Sequence, residues 1–124
     1  MKILVIDDHD GFRNEVVSVL RNNGHEVRDV ETAAAAIPLV ERGDFDFVLV
    51  DYNMPVHDGI WFMKHVDKPG HTKILLMTAQ ENMHVSLTMI KAGGDGYIIK
   101  PFDEEKLLRH LNYYARKPEH LGLS

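Results

Sequence analysis

The 124-residue sequence predicts an α/β domain in which a five-stranded parallel sheet is wound on both faces by five helices. Two patterns carry this. Four short runs, residues 3–6, 47–50, 74–77 and 97–99, are apolar throughout, as parallel strands are when both faces are covered. Between them lie segments whose apolar residues recur at helical spacing, so strands and helices alternate along the chain. The length suits one compact domain and leaves too little for a second core. No internal repeat, low-complexity stretch or linker interrupts the alternation.

The first run leads into a helix whose apolar stripe is Phe12, Val16, Val17 and Leu20, stopped by Asn23-Gly24. Residues 25–30 make a weaker strand, with Val27 and Val30 its only apolar members, and belong at a sheet edge. Thr32 is placed to cap a second helix that turns Ala35, Ala36, Leu39 and Val40 inward and closes at Gly43. Pro38 inside that helix removes a backbone donor and crowds the previous turn, which predicts a kink or a frayed first turn. A third helix follows Asp58-Gly59 with Phe62, Met63 and Val66 inward, and a fourth spans about residues 81–92. The fifth starts after Asp103, a capping residue, and runs through Leu107, Leu108 and Leu111 toward Ala115. Pro118 bars its continuation, so residues 1–117 form the domain and residues 118–124 a short tail.

Composition narrows the function classes. Without cysteine there is no disulfide, thiolate metal site or cysteine nucleophile. A formal net charge of -5 argues against direct nucleic-acid binding, which needs a basic face. No apolar run approaches the roughly 20 residues that span a bilayer. The opening MKILVID lacks the longer apolar core and small-residue cleavage site of a signal peptide. A soluble cytoplasmic protein without membrane contact is expected. Of the histidines, His9, His57 and His84 are expected around the acidic residues Asp7, Asp8 and Asp51, but no pair has the i, i+4 spacing of a helical zinc site. At most they tune the local charge with pH.

Chemistry is concentrated after the strands. Asp7 and Asp8 follow the first apolar run and Asp51 follows the third-strand run. In an open parallel sheet ligands bind beyond the carboxyl ends of the strands, where the winding direction reverses. In strand order 2-1-3-4-5 the first and third strands are neighbours at that crevice, and the three acids converge. One acid after a strand commonly does no more than cap a helix. Three together repel one another and raise each other's pKa unless a cation compensates. Magnesium, a hard cation that suits a few carboxylates, water and phosphate, is the natural partner, with manganese as the alternative. Thr78 ends the fourth run and Lys100 follows the fifth, so both side chains are expected in the same crevice. A lysine, a hydroxyl and metal-binding acids together make a phosphoryl site, with positive charge facing the transferred oxygens.

These residues stand in four motifs: VIDD at residues 5–8, DYNMPVHDG at 51–59, MTA at 77–79 and AGGDGYIIKPF at 92–102. In this order and spacing they identify a resemblance, over residues 1 to about 116, to the receiver domains of two-component response regulators, the flavodoxin/CheY-like fold of strand order 2-1-3-4-5. The resemblance implies a signalling switch, not a classical enzyme. Asp51 would take a phosphoryl group from a sensor histidine kinase or a histidine phosphotransfer protein, with only self-phosphorylation from a phosphodonor and autodephosphorylation as intrinsic chemistry. It implies Asp8, Asp51 and the backbone carbonyl of Asn53 as magnesium ligands, with Asp7 acting through a water. Lys100 and the Thr78 hydroxyl would face the phosphoryl oxygens, and Lys100-Pro101 would be cis. Asn53 and Gln80 would flank the phosphoryl group and set its hydrolysis rate. Thr78 and Tyr97 would form the switch, the hydroxyl moving toward phosphate and the ring turning into the space left behind.

The fourth helix has two apolar stripes, Val85, Met89 and Ala92 on one side and Met83, Leu87 and Ile90 nearly opposite. One must pack on the sheet. The other, with Tyr97, is a candidate output surface on the fourth helix, fifth strand and fifth helix, for a downstream protein, an effector domain or a phosphorylation-dependent homodimer. In receivers of winged-helix transcription factors an Arg and a Lys on the last helix serve such pairing; here those positions are His110 and Asn112. The receiver pattern places Trp61 outward on the third helix, either as a binding anchor or as an isolated exposed aromatic.

Three other readings are weaker. An aspartyl-nucleophile phosphatase would carry a second acid two residues after Asp51, where this chain has Asn53. A receiver-shaped interaction module that is never phosphorylated would lack an acid or the lysine, and this chain keeps Asp7, Asp8, Asp51, Thr78 and Lys100. A nucleotide or flavin binder would show a Gly-rich phosphate loop after the first strand.

Overall fold

The structure, a computed structural model, describes residues 1–79 and 83–116. The elements are β1 (Lys2–Ile6), α1 (Asp10–Asn22), β2 (Glu26–Val30), α2 (Ala33–Glu41), β3 (Phe47–Asp51), α3 (Gly59–His65), β4 (Lys73–Thr78), α4 (Met83–Lys91), β5 (Gly96–Ile99) and α5 (Glu104–Ala115). The five strands are parallel in the order β2-β1-β3-β4-β5, with β2 at an edge. Gln80, the expected start of the fourth helix at Glu81, Pro118 and the tail 118–124 lie outside the described residues.

The continuous apolar runs are explained by two cores. Successive strand residues point to opposite faces. Leu4, Ile6, Val48, Val50, Ile74 and Leu76 pack against α2, α3 and α4, while Ile3, Val5, Phe47, Leu49, Leu75 and Met77 pack against α1 and α5. Neither face meets water, so neither needs polar residues.

The helix ends follow local chemistry. Side chains of His9, Thr32, Asp58 and Asp103 each accept a hydrogen bond from a backbone N–H in the first turn of the helix that follows. Gly24 and Gly43, both at φ +86°, turn the chain out of α1 and α2 through the left-handed region.

One expectation for α2 is corrected. Ala35 is exposed and Ala33 is buried in its place. Ala33, Ala36 and Val40 stand at i, i+3 and i+7, whereas Ala35 lies about 100° round the helix from Ala36. The first turn is capped, not frayed: Thr32 Oγ1 accepts from the Ala35 N–H at 3.2 Å, and the helix continues through an exposed Pro38. In α3, Ile60 is buried with Phe62 and Met63, and Val66, the half-buried C-cap residue, packs against the same core. In α5, Leu107 and Leu111 are buried and Leu108 is half-buried.

Tyr114 of α5 lies directly over Gly96 of β5, where a Cβ would stand 2.1 Å from its ring. Gly96→Ala is expected to lower stability by about 1–3 kcal/mol through overpacking, seen as a lower urea midpoint with an unchanged slope; an unchanged midpoint would show that the ring moves aside without cost.

Candidate functional site

Register brings the functional side chains to one edge. Ile6 pairs with Val50, Asp51 with Met77 and Thr78 with Ile99, so β1, β3, β4 and β5 end level with one another. Asp7 and Asp8 leave β1, Asp51 and Thr78 are the last residues of β3 and β4, and Lys100 follows β5. Their side chains line an open cleft of about 640 Å³, with Asn53 on its wall.

Asp7 is fully buried, Asp51 is 7% exposed and Asp8 is exposed. One carboxylate oxygen from each of the three lies within 4.8 Å of the others. That all-oxygen donor set fits a hard divalent cation. Lys100 Nζ stands 3.0 Å from Asp51 Oδ1 and 3.2 Å from Asp7 Oδ2. Asp7 Oδ1 accepts the His9 backbone N–H at 2.9 Å. The Lys100 backbone N–H donates to the Thr78 carbonyl at 2.8 Å, and the Lys100-Pro101 peptide is cis.

Burial pushes the Asp51 carboxyl above its ordinary pKa. The hydrogen bond from Lys100 opposes this, nearby Asp7 reinforces it, and the Lys100 charge and a backbone hydrogen bond from Asn53 pull back further without cancelling the rise. The site therefore holds the Asp51 carboxyl where water solvates it poorly and one ammonium compensates.

The other predicted residues are divided. Tyr97 is half-buried and packs against the core on the α4 side. On α4, Val85 and Met89 are buried, while Met83, Leu87 and Ile90 are 76%, 50% and 62% exposed. One stripe is core and the other faces outward. His9 lines the cleft and caps α1, His84 is exposed, and His57 stacks on Trp61 at 3.6 Å. His65 covers the opposite face of that indole at 4.3 Å, so Trp61 is half-buried between two imidazoles and not freely exposed.

Two residues at the site were not singled out from the sequence. Arg13 is buried and donates from Nη1 to the Asp7 carbonyl at 2.8 Å, from Nε to Asp29 at 2.7 Å and from Nη2 to Asp10 at 2.7 Å. The signal was available: Arg13 continues the inward stripe of Val16, Val17 and Leu20, an odd place for a charge without a job. Phe12 packs against the α1–α5 core as expected, and its half-buried ring also reaches the cleft wall, with Lys100 Nζ 4.2 Å from its centroid.

A family model for the response regulator receiver domain matches residues 3–112. The chain is 34% identical over 116 residues to the chemotaxis protein CheY-3 of Vibrio cholerae, covering 90% of this chain and 89% of that one. Its backbone is similar to that of CheY4 from Vibrio cholerae, with a TM-score of 0.86 and 30% identity, covering 91% of this chain and 97% of that one. It is also similar, at TM-score 0.81 and 25% identity over 94% of this chain and 98% of that one, to the receiver domain of the sensor histidine kinase PA1611 from Pseudomonas aeruginosa, which has a magnesium ion coordinated in its active-site cleft.

Because folding raises the Asp51 pKa, the protonated carboxyl is the form that folding favours, and its ionisation costs stability. In metal-free buffer Asp51→Asn is expected to raise the urea midpoint near pH 7. The gain should shrink as the pH falls through the raised folded value and vanish below the ordinary carboxylate range. A midpoint difference independent of pH would contradict this.

Proposed function

The chain belongs to the response regulator receiver domain family of two-component signalling, whose members are signalling proteins and not classical enzymes, and from that premise we propose that Asp51 accepts a phosphoryl group from a sensor histidine kinase or a histidine phosphotransfer protein. The observation that carries the reading is the meeting of Asp7, Asp8 and Asp51 with Lys100 in one cleft at the carboxyl edge of the sheet.

An Asp51 oxygen attacks phosphorus and the P–N bond to the donor imidazole breaks. The bond's electrons return to the imidazole, which leaves neutral because its other nitrogen carries a proton, and an acyl phosphate remains on Asp51. Charge in this reaction spreads over three phosphoryl oxygens, so catalysis is mostly placement and neutralisation. The ammonium of Lys100 holds Asp51 before transfer and turns to a phosphoryl oxygen after it, and the Thr78 hydroxyl donates a hydrogen bond to another. Asp8, Asp51 and the Asn53 carbonyl would hold Mg2+, or Mn2+, directly, and Asp7 through a water. When bound, the ion supplies positive charge at the phosphoryl oxygens. Asn53, which lines the cleft, helps set the hydrolysis rate of the acyl phosphate.

The output belongs to α4, β5 and α5. Support comes from the exposed Met83, Leu87 and Ile90 and from the half-buried ring of Tyr97. Phosphate draws Thr78 toward Asp51 and Tyr97 turns into the space released. The altered surface meets a downstream protein, an effector domain or a second phosphorylated copy. Residues 1–117 act as the signalling unit. Among the described residues no helix is long and apolar enough to cross a membrane.

Incubation with Mg2+ and acetyl phosphate is expected to add one phosphoryl group to the wild type and none to Asp51→Asn, read by intact mass. Lys100→Met should slow uptake by about a hundredfold, the size of losing one charged donor at a phosphoryl site. Uptake by Asp51→Asn at the wild-type rate would overturn the assignment, and absence of uptake from any donor would favour a pure interaction module. Phosphorylation should also change amide exchange over residues 83–97; unchanged exchange there would remove the output surface.

A further inference from the structure

The ammonium of Lys100 has three N–H donors. Two are directed at Asp7 Oδ2 and Asp51 Oδ1, at 3.2 Å and 3.0 Å. The remaining side of the ammonium meets the ring of Phe12, whose centroid is 4.2 Å from Nζ. We propose that Phe12 is a positioning residue for phosphoryl uptake: its ring face holds the Lys100 ammonium in the cleft while the ammonium changes partners. The proposal rests on Asp51 being the phosphoryl acceptor.

Phe12 is itself held firmly. Its backbone N–H donates to His9 Nδ1 at 3.0 Å in the capped first turn of α1. Its ring meets Phe102 edge-on, with centroids 5.4 Å apart and planes at 76°. Phe102 lies two residues after Lys100, so the cation and the ring that faces it are braced from the same loop.

The chemistry of the site explains why an aromatic ring serves here. A fourth carboxylate would compete with Asp7 and Asp51 for the ammonium and add repulsion to a cluster that already holds three acids. An aliphatic side chain would leave one ammonium face against hydrocarbon without compensation. A ring face attracts a cation through its quadrupole without adding net charge. It also lacks the narrow directionality of a hydrogen bond. When Asp51 becomes an acyl phosphate the oxygen that held Lys100 is consumed, and the ammonium must move to a phosphoryl oxygen. It can make that movement across the face of Phe12 without passing into water.

The test replaces Phe12 with mono-, di- and trifluorophenylalanine, which keep the ring's shape while draining its quadrupole. Two quantities are read: the rate of Asp51 phosphorylation by acetyl phosphate with Mg2+, and the NMR signal of the Lys100 ammonium in protein carrying isotope-labelled lysine. The rate should fall stepwise with each fluorine, by about three- to tenfold at the trifluoro ring. The ammonium signal should move in step, and the urea midpoint should not follow the series. Phe12→Leu should be slow and Phe12→Tyr should keep most of the rate, and a purely structural role would leave the rate independent of the fluorine count. A flat series in a protein that is phosphorylated on Asp51 overturns the proposal. If the wild type takes up no phosphoryl group, the functional reading fails instead. An ammonium signal that ignores fluorination would then dismiss the Phe12 contact as well.

Discussion

Two carboxyl groups, Asp7 and Asp51, are held at the end of a hydrophobic sheet with almost no access to water, and the ammonium of Lys100 stands between them. Burial of charge in such a place is costly unless the charges are paired. The pairing is incomplete for Asp51, whose carboxyl is shifted upward by burial despite the lysine. With three acids, Asp7, Asp8 and Asp51, beside the one ammonium of Lys100, the cleft is short of positive charge. That deficit suits a hard divalent cation held by the carboxylate oxygens.

The rest of the fold keeps this small group of atoms in register. Parallel pairing aligns the ends of β1, β3 and β4, and the apolar residues on both sheet faces fix that register because a slip of one residue would exchange the two cores. Arg13 adds a specific tie. It joins the Asp7 carbonyl to Asp29 and Asp10, and so links the acid-bearing strand end to the edge strand and the first turn of α1. On the far side, the Lys100 backbone N–H donates to the Thr78 carbonyl, which fixes the ends of β4 and β5 beside one another.

The outward surfaces are built differently from one another. On α4 the apolar stripe of Met83, Leu87 and Ile90 has no covering element among the described residues and remains open. On α3 the large indole of Trp61 is covered on both faces by His57 and His65, so little of it is offered to a partner. The departures at His110 and Asn112 from the winged-helix pairing pattern leave α5 with a half-buried imidazole bonded to the Lys106 carbonyl and an exposed amide.

Strand positions, helix order and the grouping of Asp7, Asp8, Asp51, Thr78 and Lys100 were legible in the sequence. Continuous apolar runs mark strands covered on both faces, and a residue that follows a parallel strand must stand at its carboxyl edge. Helix caps were legible at Thr32 and Asp103 because capping is a contact within one turn. The tertiary structure alone decided which of the two stripes of α4 faces water, that Arg13 reaches the Asp7 carbonyl, and that the ring of Phe12 meets Lys100. Each of these joins or separates side chains on different elements. Periodicity states which residues share a face, but the direction a helix faces is set by what it packs against, and a contact between α1 and the residue after β5 leaves no local trace in either segment.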